Sequence, residues 1–305
     1  MDLRQLKYFI TIVEEGQITL AAKKLNMAQP PLSQQLINLE KELGTKLLIR
    51  NGRTLELTEA GEILYKKGKK HLYNLDDIVT EVKEAGGGLR GTLNIGTAIS
   101  CICYLPERIH HFQAHYPHIT FKIWEGDPFR LSDYILDRQI ELAIVRSPIE
   151  KKNFSYISIE EEPFVCVLPK EWPVGSKANS VTMEELSVLP LVALHRVNGE
   201  GIYEMLLEEF TKRGLKPKIV AESPNTTILL SLVESGVGAV ILPLSASISY
   251  SRDNIKVLSI NDCRLTTGTY AIWLKNGYLS QIAKRFLETF NKNSHHILKK
   301  LKRNN

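Results

Sequence analysis

Apolar residues in the first 85 positions recur at intervals of three and four, which is the period of an α-helix. Residues 3–14 form the first predicted helix, and residues 18–25 form the second. A third helix begins around Pro30, since proline is tolerated in a first turn, and it ends at Gly44. The apolar positions of this third helix are Leu32, Leu36, Leu39 and Leu43. The pattern therefore predicts a small domain of three helices.

The other face of the third helix carries short polar side chains that both donate and accept hydrogen bonds, as the reading of base edges requires. They are Ser33, Gln34, Gln35 and Asn38. Two short apolar runs follow, residues 46–49 and 54–57, and an Asn-Gly pair between them predicts a hairpin with Arg50 and Arg53 at its tip. Three helices and a basic hairpin predict a winged helix-turn-helix domain whose third helix enters the major groove. The alternative is a helical domain whose polar face is merely solvated.

Residues 58–85 predict one long helix, with Thr58 as its N-cap. A narrow apolar seam repeats along it at intervals of three and four: Tyr65, Gly68, Leu72, Leu75, Val79 and Val82. A second copy of the chain is the simplest partner for such a seam, so we predict a homodimer formed through this helix. Packing of the seam against the chain's own domains is the alternative.

Three consecutive glycines follow the long helix, and a hinge is predicted over residues 86–90. Beyond it, short β-rich runs alternate with helical stretches, as in α/β domains. Ligands of open α/β sheets bind beyond the carboxyl ends of the strands. The residues at four such ends form the predicted effector site: Thr97, Ile99, Ser100, Arg146, Ser147, His195, Ser223 and Thr226. Arg146, Arg196 directly after His195, and several hydroxyls favour a small carboxylate or phosphate as the ligand.

The charges of the chain are nearly balanced. Its 39 Lys and Arg residues exceed its 34 Asp and Glu residues, giving a formal charge of +5. The excess lies in a basic tail, residues 292–305, which holds no acid. An apolar content of 43% and a charged content of 24% exclude a disordered or collagen-like chain. Because the sequence has no apolar N-terminal segment and no uninterrupted apolar span, we predict a cytoplasmic protein without membrane contact.

No catalytic motif is present in the sequence, which lacks a GxSxG elbow, a phosphate-binding loop and an HExxH pair. Four histidines cluster in one stretch without a Cys or carboxylate at ligand spacing, so no metal site is predicted: His110, His111, His115 and His118. Cys101 and Cys103 lie near a predicted helix start, where a thiol pKa can fall and oxidants can be sensed. Residues two apart on a helix point in different directions, so burial as small packing residues is favoured. We predict neither catalysis nor a cofactor.

Residues 21–61 carry a run of motifs at fixed spacing: paired alanines, a Gln-Pro turn, Leu-Ser, a Leu-Glu then Leu-Gly helix end, an arginine-bearing hairpin, and Leu-Thr-x-Ala-Gly. This stretch resembles the N-terminal region of LysR-type transcriptional regulators. Gln17 and Ile18 stand where Ser-Phe is frequent in that family, and Leu48 stands where Phe is common. Both departures fall at packing or helix-entry positions, so the resemblance still implies DNA binding.

The likeness continues more weakly to about residue 290, through Gly91–Gly96, Glu141–Val145 and Ser235–Pro243. It implies a periplasmic-binding-protein-like effector domain over residues 91–305 with two subdomains. Subdomain I would comprise residues 91–162 and 268–291, and subdomain II residues 163–267. The family likeness also implies a homodimer or homotetramer on an interrupted palindromic operator.

The sequence therefore predicts an α/β protein with an N-terminal winged helix-turn-helix domain over residues 1–57, a dimerisation helix over residues 58–85 and a C-terminal effector domain. The residues predicted to contact double-stranded DNA are Gln29, Pro30, Ser33, Gln34, Asn38, Arg50 and Arg53. A small-molecule effector bound between the C-terminal subdomains is predicted to regulate transcription. The alternative is a cytosolic small-molecule-binding protein, or an enzyme on a binding-protein-like fold, whose N-terminal segment serves dimerisation only.

Overall fold

The computed structural model describes residues 1–51, 54–85, 89–150, 152–174, 179–195, 201–248 and 253–292. The chain divides into two compact units, Met1–Gly86 and Gly87–Asn305. Each unit contains an apolar core of its own.

The N-terminal unit consists of four helices and a two-stranded hairpin: α1 (Leu3–Glu15), α2 (Ile18–Lys24), α3 (Gln29–Leu43), β1 (Leu48–Asn51), β2 (Thr54–Leu57) and α4 (Glu59–Ala85). Local signals in the sequence set the ends of these helices. The Asp2 carboxylate caps α1 by accepting a hydrogen bond from the Gln5 amide at 2.7 Å. Gly16 and Gly44 end α1 and α3 in the left-handed conformation, each with φ of 66°, which glycine adopts without steric cost.

The core of the N-terminal unit lies between α1, α2 and α3, and α4 packs against it. Two glycines of α4, Gly61 and Gly68, allow this helix to lie close to α1 and to the residue before β1. A Cβ on Gly68 would lie 2.4 Å from Leu6 Cδ1, and one on Gly61 would lie 2.1 Å from the Leu47 carbonyl oxygen. The first strand of the hairpin begins at Leu48, whereas the apolar run predicted it from residue 46. Leu47 is buried in the core just before the strand begins.

The C-terminal unit alternates strands and helices. Its strands are β3 (Gly91–Thr97), β4 (Ile119–Glu125), β5 (Leu142–Arg146), β6 (Phe154–Pro169), β7 (Ser180–Val181), β8 (Pro190–Leu194), β9 (Lys218–Ser223), β10 (Val240–Pro243), β11 (Ile255–Ile260) and β12 (Thr266–Leu274). Its helices are α5 (Pro106–His115), α6 (Pro128–Leu136), α7 (Met183–Val188), α8 (Ile202–Lys212), α9 (Thr226–Glu234), α10 (Leu244–Ile248) and α11 (Gln281–Lys292), with a 3-10 helix at Ile99–Tyr104.

The main sheet has the strand order β4-β3-β5-β12-β6-β11-β7, and β10 also pairs with β6. The 16-residue strand β6 changes partners along its length. Residues Phe154–Pro163 pair with β12, whereas Phe164–Pro169 pair with β10 and β11. This change of partner lies between Pro163 and Phe164, one residue beyond the predicted subdomain boundary, which stays a prediction.

The two halves of the C-terminal unit have separate apolar clusters. Leu93, Ile144 and Phe286 belong to a cluster in the first half, and Cys166 and Phe210 belong to one in the second half. Strands β8 and β9 form a parallel pair in the second half. No helix in the described part of the chain is long and apolar enough to cross a membrane.

Candidate DNA-reading face and effector cavity

Helix α3 has one buried face and one exposed face. Leu32, Leu36 and Leu39 are buried in the N-terminal core. The five predicted DNA-binding residues of this helix lie on the other side, with Ser33 half-buried and the rest exposed: Gln29, Pro30, Gln34 and Asn38. Gln29 Nε2 donates a hydrogen bond to Ser33 Oγ at 2.9 Å. Gln34 Nε2 donates to Asn38 Oδ1 at 3.0 Å, so the polar side chains are ordered one turn apart.

Glu40 connects α3 to the hairpin. Its side chain is 7% exposed, and its carboxylate accepts hydrogen bonds from the Leu47 amide at 2.9 Å and from Lys46 Nζ at 2.6 Å. The Lys46 side chain is 70% exposed. Burial acts to raise the pKa of Glu40, but the hydrogen bonds from Lys46 and from the backbone outweigh it, so the pKa lies below its ordinary value. This ionised carboxylate fixes the path of the chain from α3 into β1.

Strands β1 and β2 form the predicted hairpin, with Asn51 opposite Thr54 at its end. Arg50 lies in β1 opposite Leu55, but its side chain lies outside the described residues. The whole of Arg53 also lies outside them. The contacts of these two arginines with DNA stay predictions. The basic tail beyond residue 292 and the glycines of the hinge, residues 86–88, are outside the described residues as well.

The seam of α4 has two parts. Tyr65 and Leu72 are half-buried against the N-terminal core, and Gly68 meets Leu6. The remaining seam positions Leu75, Val79 and Val82 are exposed, and so is Ile78 beside them; we call these four residues the apolar end of α4. The Val82 side chain is 67% exposed. The first part of the seam therefore packs against the chain's own N-terminal domain, and the apolar end of α4 remains open to a partner.

A cavity of about 280 Å³ lies at the carboxyl ends of several strands in the C-terminal unit. Residues from both halves of the unit line it. Five of the eight predicted effector-binding residues are among them: Ile99, Ser100, Arg146, His195 and Thr226. The rule that ligands bind at the carboxyl ends of strands therefore leads to a real cavity in this fold.

The other three predicted effector-binding residues are not among the lining residues of the cavity. Thr97 Oγ1 donates to the Ala98 carbonyl oxygen at 3.1 Å. Ser147 Oγ lies 3.3 Å from Thr267 Oγ1, and Ser223 Oγ accepts from the Asn225 amide at 3.2 Å. These hydroxyls bind neighbouring parts of the chain, and their contacts with an effector stay predictions.

One wall of the cavity was absent from the sequence-based prediction. It consists of the end of β4 and the start of α6: Glu125, Gly126, Asp127, Pro128 and Arg130. The same strand-end rule identifies this wall, because β4 ends at Glu125 and an Asp-Pro pair begins the helix that follows.

Arg146 lines the cavity, but all five N–H groups of its guanidinium are engaged. Nη1 donates to Glu162 Oε1 at 2.6 Å and to Thr269 Oγ1 at 3.1 Å. Nη2 donates to the Ser100 carbonyl oxygen at 2.8 Å and to Ser245 Oγ at 2.6 Å, and Nε donates to Ser100 Oγ at 3.3 Å. Burial acts to lower the pKa of Arg146, but the negative charge of Glu162 and its hydrogen bond outweigh burial and raise the pKa above its ordinary value.

Glu162 is the counterion of Arg146, and both side chains are 2% exposed. Its carboxylate also accepts hydrogen bonds from Tyr104 Oη at 3.1 Å and from Ser245 Oγ at 2.7 Å. Sequence reasoning missed Glu162, because its partner lies two strands away in the sheet, with β12 between β5 and β6. The positive charge of Arg146 is therefore already balanced inside the protein.

Two helices begin at the cavity, and their own side chains cap both. Asp127 Oδ1 accepts from the Phe129 and Arg130 amides at 2.8 and 3.0 Å. Asn225 Oδ1 likewise accepts from the Thr227 amide at 2.8 Å and from the amide that follows it. These helix N-termini are therefore partly satisfied without a ligand.

The four clustered histidines are exposed, whereas Cys101 is buried and Cys103 is half-buried. His111 and His115 are exposed, and His115 Nδ1 lies 2.9 Å from the His111 carbonyl oxygen. Within the described ranges, no group of three metal-binding side chains is present. Burial raises the pKa of the Cys101 thiol, and it raises the pKa of Cys103 to about 12, so both are protonated at neutral pH.

Two family profiles match the chain. The profile described as "Bacterial regulatory helix-turn-helix protein, lysR family" matches residues 3–62. The profile described as "LysR substrate binding domain" matches residues 86–294.

Similar proteins cover almost the whole chain. It is 38% identical to the HTH-type transcriptional regulator BsdA of Bacillus subtilis (strain 168), across 95% of this chain and 100% of that protein. It is 31% identical to the HTH-type transcriptional regulator BudR of Raoultella terrigena, again across 95% and 100%. Full-length CbnR in complex with its target DNA has a TM-score of 0.71 at 24% identity, over 96% of this chain and 99% of that one. At this level of identity the CbnR structure shows a likeness of fold.

Proposed function

The chain belongs to the LysR family of transcriptional regulators, and from this premise we propose how its two units act. The matches confirm the predicted family, fold class and regulatory function. The N-terminal unit binds double-stranded DNA with α3 in the major groove. The C-terminal unit binds a small anionic effector in the cavity, and the bound effector changes transcription from the target operator. The exposed polar face of α3, opposite three buried leucines, is the observation that carries this proposal.

The side chains on α3 suit the reading of base edges. Gln34 and Asn38 each present an amide that can donate and accept at once, and such amides pair bidentately with adenine in the major groove. Gln29 and Ser33 lie at the start of the helix and would contact bases or phosphates. Arg50 and Arg53 on the hairpin would bind phosphates or the minor groove, which sets affinity and its dependence on salt.

The apolar end of α4 supports a homodimer. Its four exposed residues bury their apolar surface most simply against the same residues of a second copy. A dimer places two winged domains on one duplex, and such symmetry matches an interrupted palindrome. A homotetramer would be a pair of these dimers.

The cavity supports a small anionic effector. Its walls come from both halves of the C-terminal unit and carry the hydroxyls of Ser100 and Thr226 together with the guanidinium groups of Arg130 and Arg146. A ligand held by both walls favours the arrangement in which they are close. It can shift the regulator between two states only to the extent that it binds one of them more tightly.

The test of this proposal is DNA binding by variants of α3. DNA from upstream of the protein's own gene is titrated with the full chain in the presence of excess nonspecific competitor. We expect Gln34→Ala or Asn38→Ala to weaken specific binding by roughly tenfold to hundredfold, since a bidentate base contact is worth about 1–3 kcal/mol. Binding to the competitor should not change, because it depends on phosphate contacts.

Gln281→Ala is the matched control, because this glutamine is exposed on α11 of the C-terminal unit. It should leave specific binding unchanged. If the two α3 variants bind the specific site as tightly as the control does, α3 is not the helix that reads the operator.

A further inference from the structure

The donors on the cavity wall differ in how many of their hydrogen bonds are already used. All five N–H groups of Arg146 are engaged, and its charge is paired with Glu162. The N-terminal amides of α6 and α9 are partly satisfied by Asp127 and Asn225. An acidic ligand would therefore have to break existing bonds to be held by these groups.

Arg130 is the other arginine on the cavity wall, and it is held quite differently. Its side chain is exposed, and only Nε has a hydrogen-bond partner among the described residues, with Tyr134 Oη at 2.6 Å. The guanidinium lies over the Tyr134 ring, 5.4 Å from its centroid. Tyr134 in turn packs edge-on against Trp124, at 5.2 Å between ring centroids. This aromatic support holds the guanidinium while its two Nη groups stay available.

Thr226 provides a second available donor, in the other half of the C-terminal unit. The residue is fully buried at the start of α9, lines the cavity, and has no hydrogen-bond partner for Oγ1 within the described residues. A buried hydroxyl without a partner is costly, and a ligand oxygen would satisfy it. The available donors of the cavity thus include an arginine fork in one half and a hydroxyl in the other.

Two carboxylates share the cavity wall with Arg130. Asp127 is used in capping α6, where the helix N-terminus stabilises its charge. Glu125 is exposed, so water screens its charge. A guanidinium with two available Nη groups can bind a carboxylate bidentately despite these neighbours.

We infer that Arg130, rather than Arg146, binds the acidic group of the effector, and that the Thr226 hydroxyl makes a second polar contact from the other half of the unit. The inference rests on the proposed anionic effector and names the residue that selects it. Arg146 then acts as a positioning residue. It holds Ser100 through its own hydrogen bonds to that residue, and its ion pair with Glu162 fixes the end of β5. The effectors that Arg130 would select are small carboxylic acids that fit a cavity of about 280 Å³.

The experiment measures thermal unfolding of the full chain with three acids and their neutral analogues: acetate against acetamide, succinate against succinamide, and benzoate against benzamide. Binding to the folded state stabilises it by RT ln(1 + L/Kd), where L is the free ligand concentration, so the unfolding midpoint rises with the logarithm of affinity and of concentration when the ligand is in excess. In the unsubstituted protein, at least one acid should bind about tenfold more tightly than its amide. In Arg130→Gln this preference should disappear through a loss of acid binding of about tenfold, while binding of the amide is unchanged.

Three further variants separate charge recognition from damage to the fold. Arg130→Lys keeps the charge but loses the fork, so it should retain part of the preference for the acid. Tyr134→Phe removes the bond to Nε and should weaken acid binding less than Arg130→Gln does. Arg285→Gln is the matched control, since Arg285 is exposed on α11 and pairs there with Glu288.

Each other outcome has a definite meaning. An unchanged preference for the acid in Arg130→Gln overturns the assignment of Arg130 and leaves the proposed anionic effector standing. An equal loss of acid and amide binding also overturns it, because the substitution would then have damaged the cavity. If the unsubstituted protein prefers none of the three acids over its amide, the anionic effector and the role of Arg130 both fail, whereas DNA binding by α3 is unaffected.

Discussion

The two units each contain a buried glutamate, and the surroundings of the two side chains differ. Glu40 of the N-terminal unit is paired with Lys46, whose side chain is 70% exposed. Glu162 of the C-terminal unit is paired with Arg146, and both of these side chains are 2% exposed. A charge whose partner remains in water can be solvated when the pair is broken, whereas a charge inside the protein cannot. The same type of ion pair therefore has very different consequences in the two units.

The largest effect is expected from Glu162→Gln, which keeps the shape of the side chain but leaves Arg146 buried without a counterion. Removal of one partner of a buried pair costs about 3–5 kcal/mol. The free energy of unfolding of the C-terminal unit, measured with denaturant, should fall by about that amount. A loss of unfolding free energy smaller than about 1 kcal/mol, the upper range for exposed ion pairs, would mean that water reaches this site.

The double variant Arg146→Met, Glu162→Met is the control for that measurement. Because it removes both charges, it should lose less stability than Glu162→Gln alone. A double variant less stable than the single one would show that the hydrogen bonds to Ser100 and Ser245 matter more than the balance of charge.

A smaller effect is expected from Glu40→Gln. The amide oxygen can still accept from the Leu47 backbone, but the charge-assisted bond with Lys46 is removed, so we expect a cost of about 1–2 kcal/mol. If the hairpin then moves away from the DNA backbone, the affinity for DNA should depend less steeply on salt. The slope of log affinity against log salt concentration should become shallower by roughly 0.9 for each phosphate that the hairpin no longer binds.

Lys46→Ala is the matched control for Glu40→Gln. It removes the same ion pair but leaves the Glu40 carboxylate bound to the Leu47 amide, so its cost should be no larger than that of Glu40→Gln. An unchanged salt slope in Glu40→Gln, together with weaker binding, would indicate that Glu40 stabilises the domain without placing the hairpin.

The smallest effect concerns pH. The pKa of Glu40 lies below the reference value of 4.5, so its ionised form stabilises the folded state fully above that pH. As the pH falls from about 4.5 through the lower pKa of the folded state, this stabilisation is lost. The difference in unfolding free energy between the unsubstituted protein and Glu40→Gln should therefore narrow below pH 4.5. A difference that stays constant down to about pH 3 would contradict the assigned role of the charge.

The sequence was sufficient wherever the determining signals are local. The spacing of Leu32, Leu36 and Leu39 predicted both the buried face of α3 and its polar face, and glycines marked the ends of the helices. The strand-end rule led to five residues of the cavity wall because each follows a strand in the chain. It missed Arg130 because the end of β4 was not included among the strand ends.

The pairing of Arg146 with Glu162 could not be predicted in the same way. It depends on which strands are neighbours and on their register, with Arg146 opposite Thr269 and Thr269 opposite Glu160. Thr269 is far along the chain from Arg146 and from Glu160, so no sequence periodicity connects the three residues. The sequence therefore indicated Arg146 as a cation available to a ligand, whereas the fold gives it a counterion.

Strand β6 has a mechanical consequence for the C-terminal unit. It runs from Phe154 to Pro169 and is hydrogen-bonded to β12 in one half and to β10 and β11 in the other. The two halves of the C-terminal unit thus share one continuous strand. We expect a change in the separation of the two halves to twist this shared strand. A small rotation of one half of the C-terminal unit should therefore rotate the other half as well.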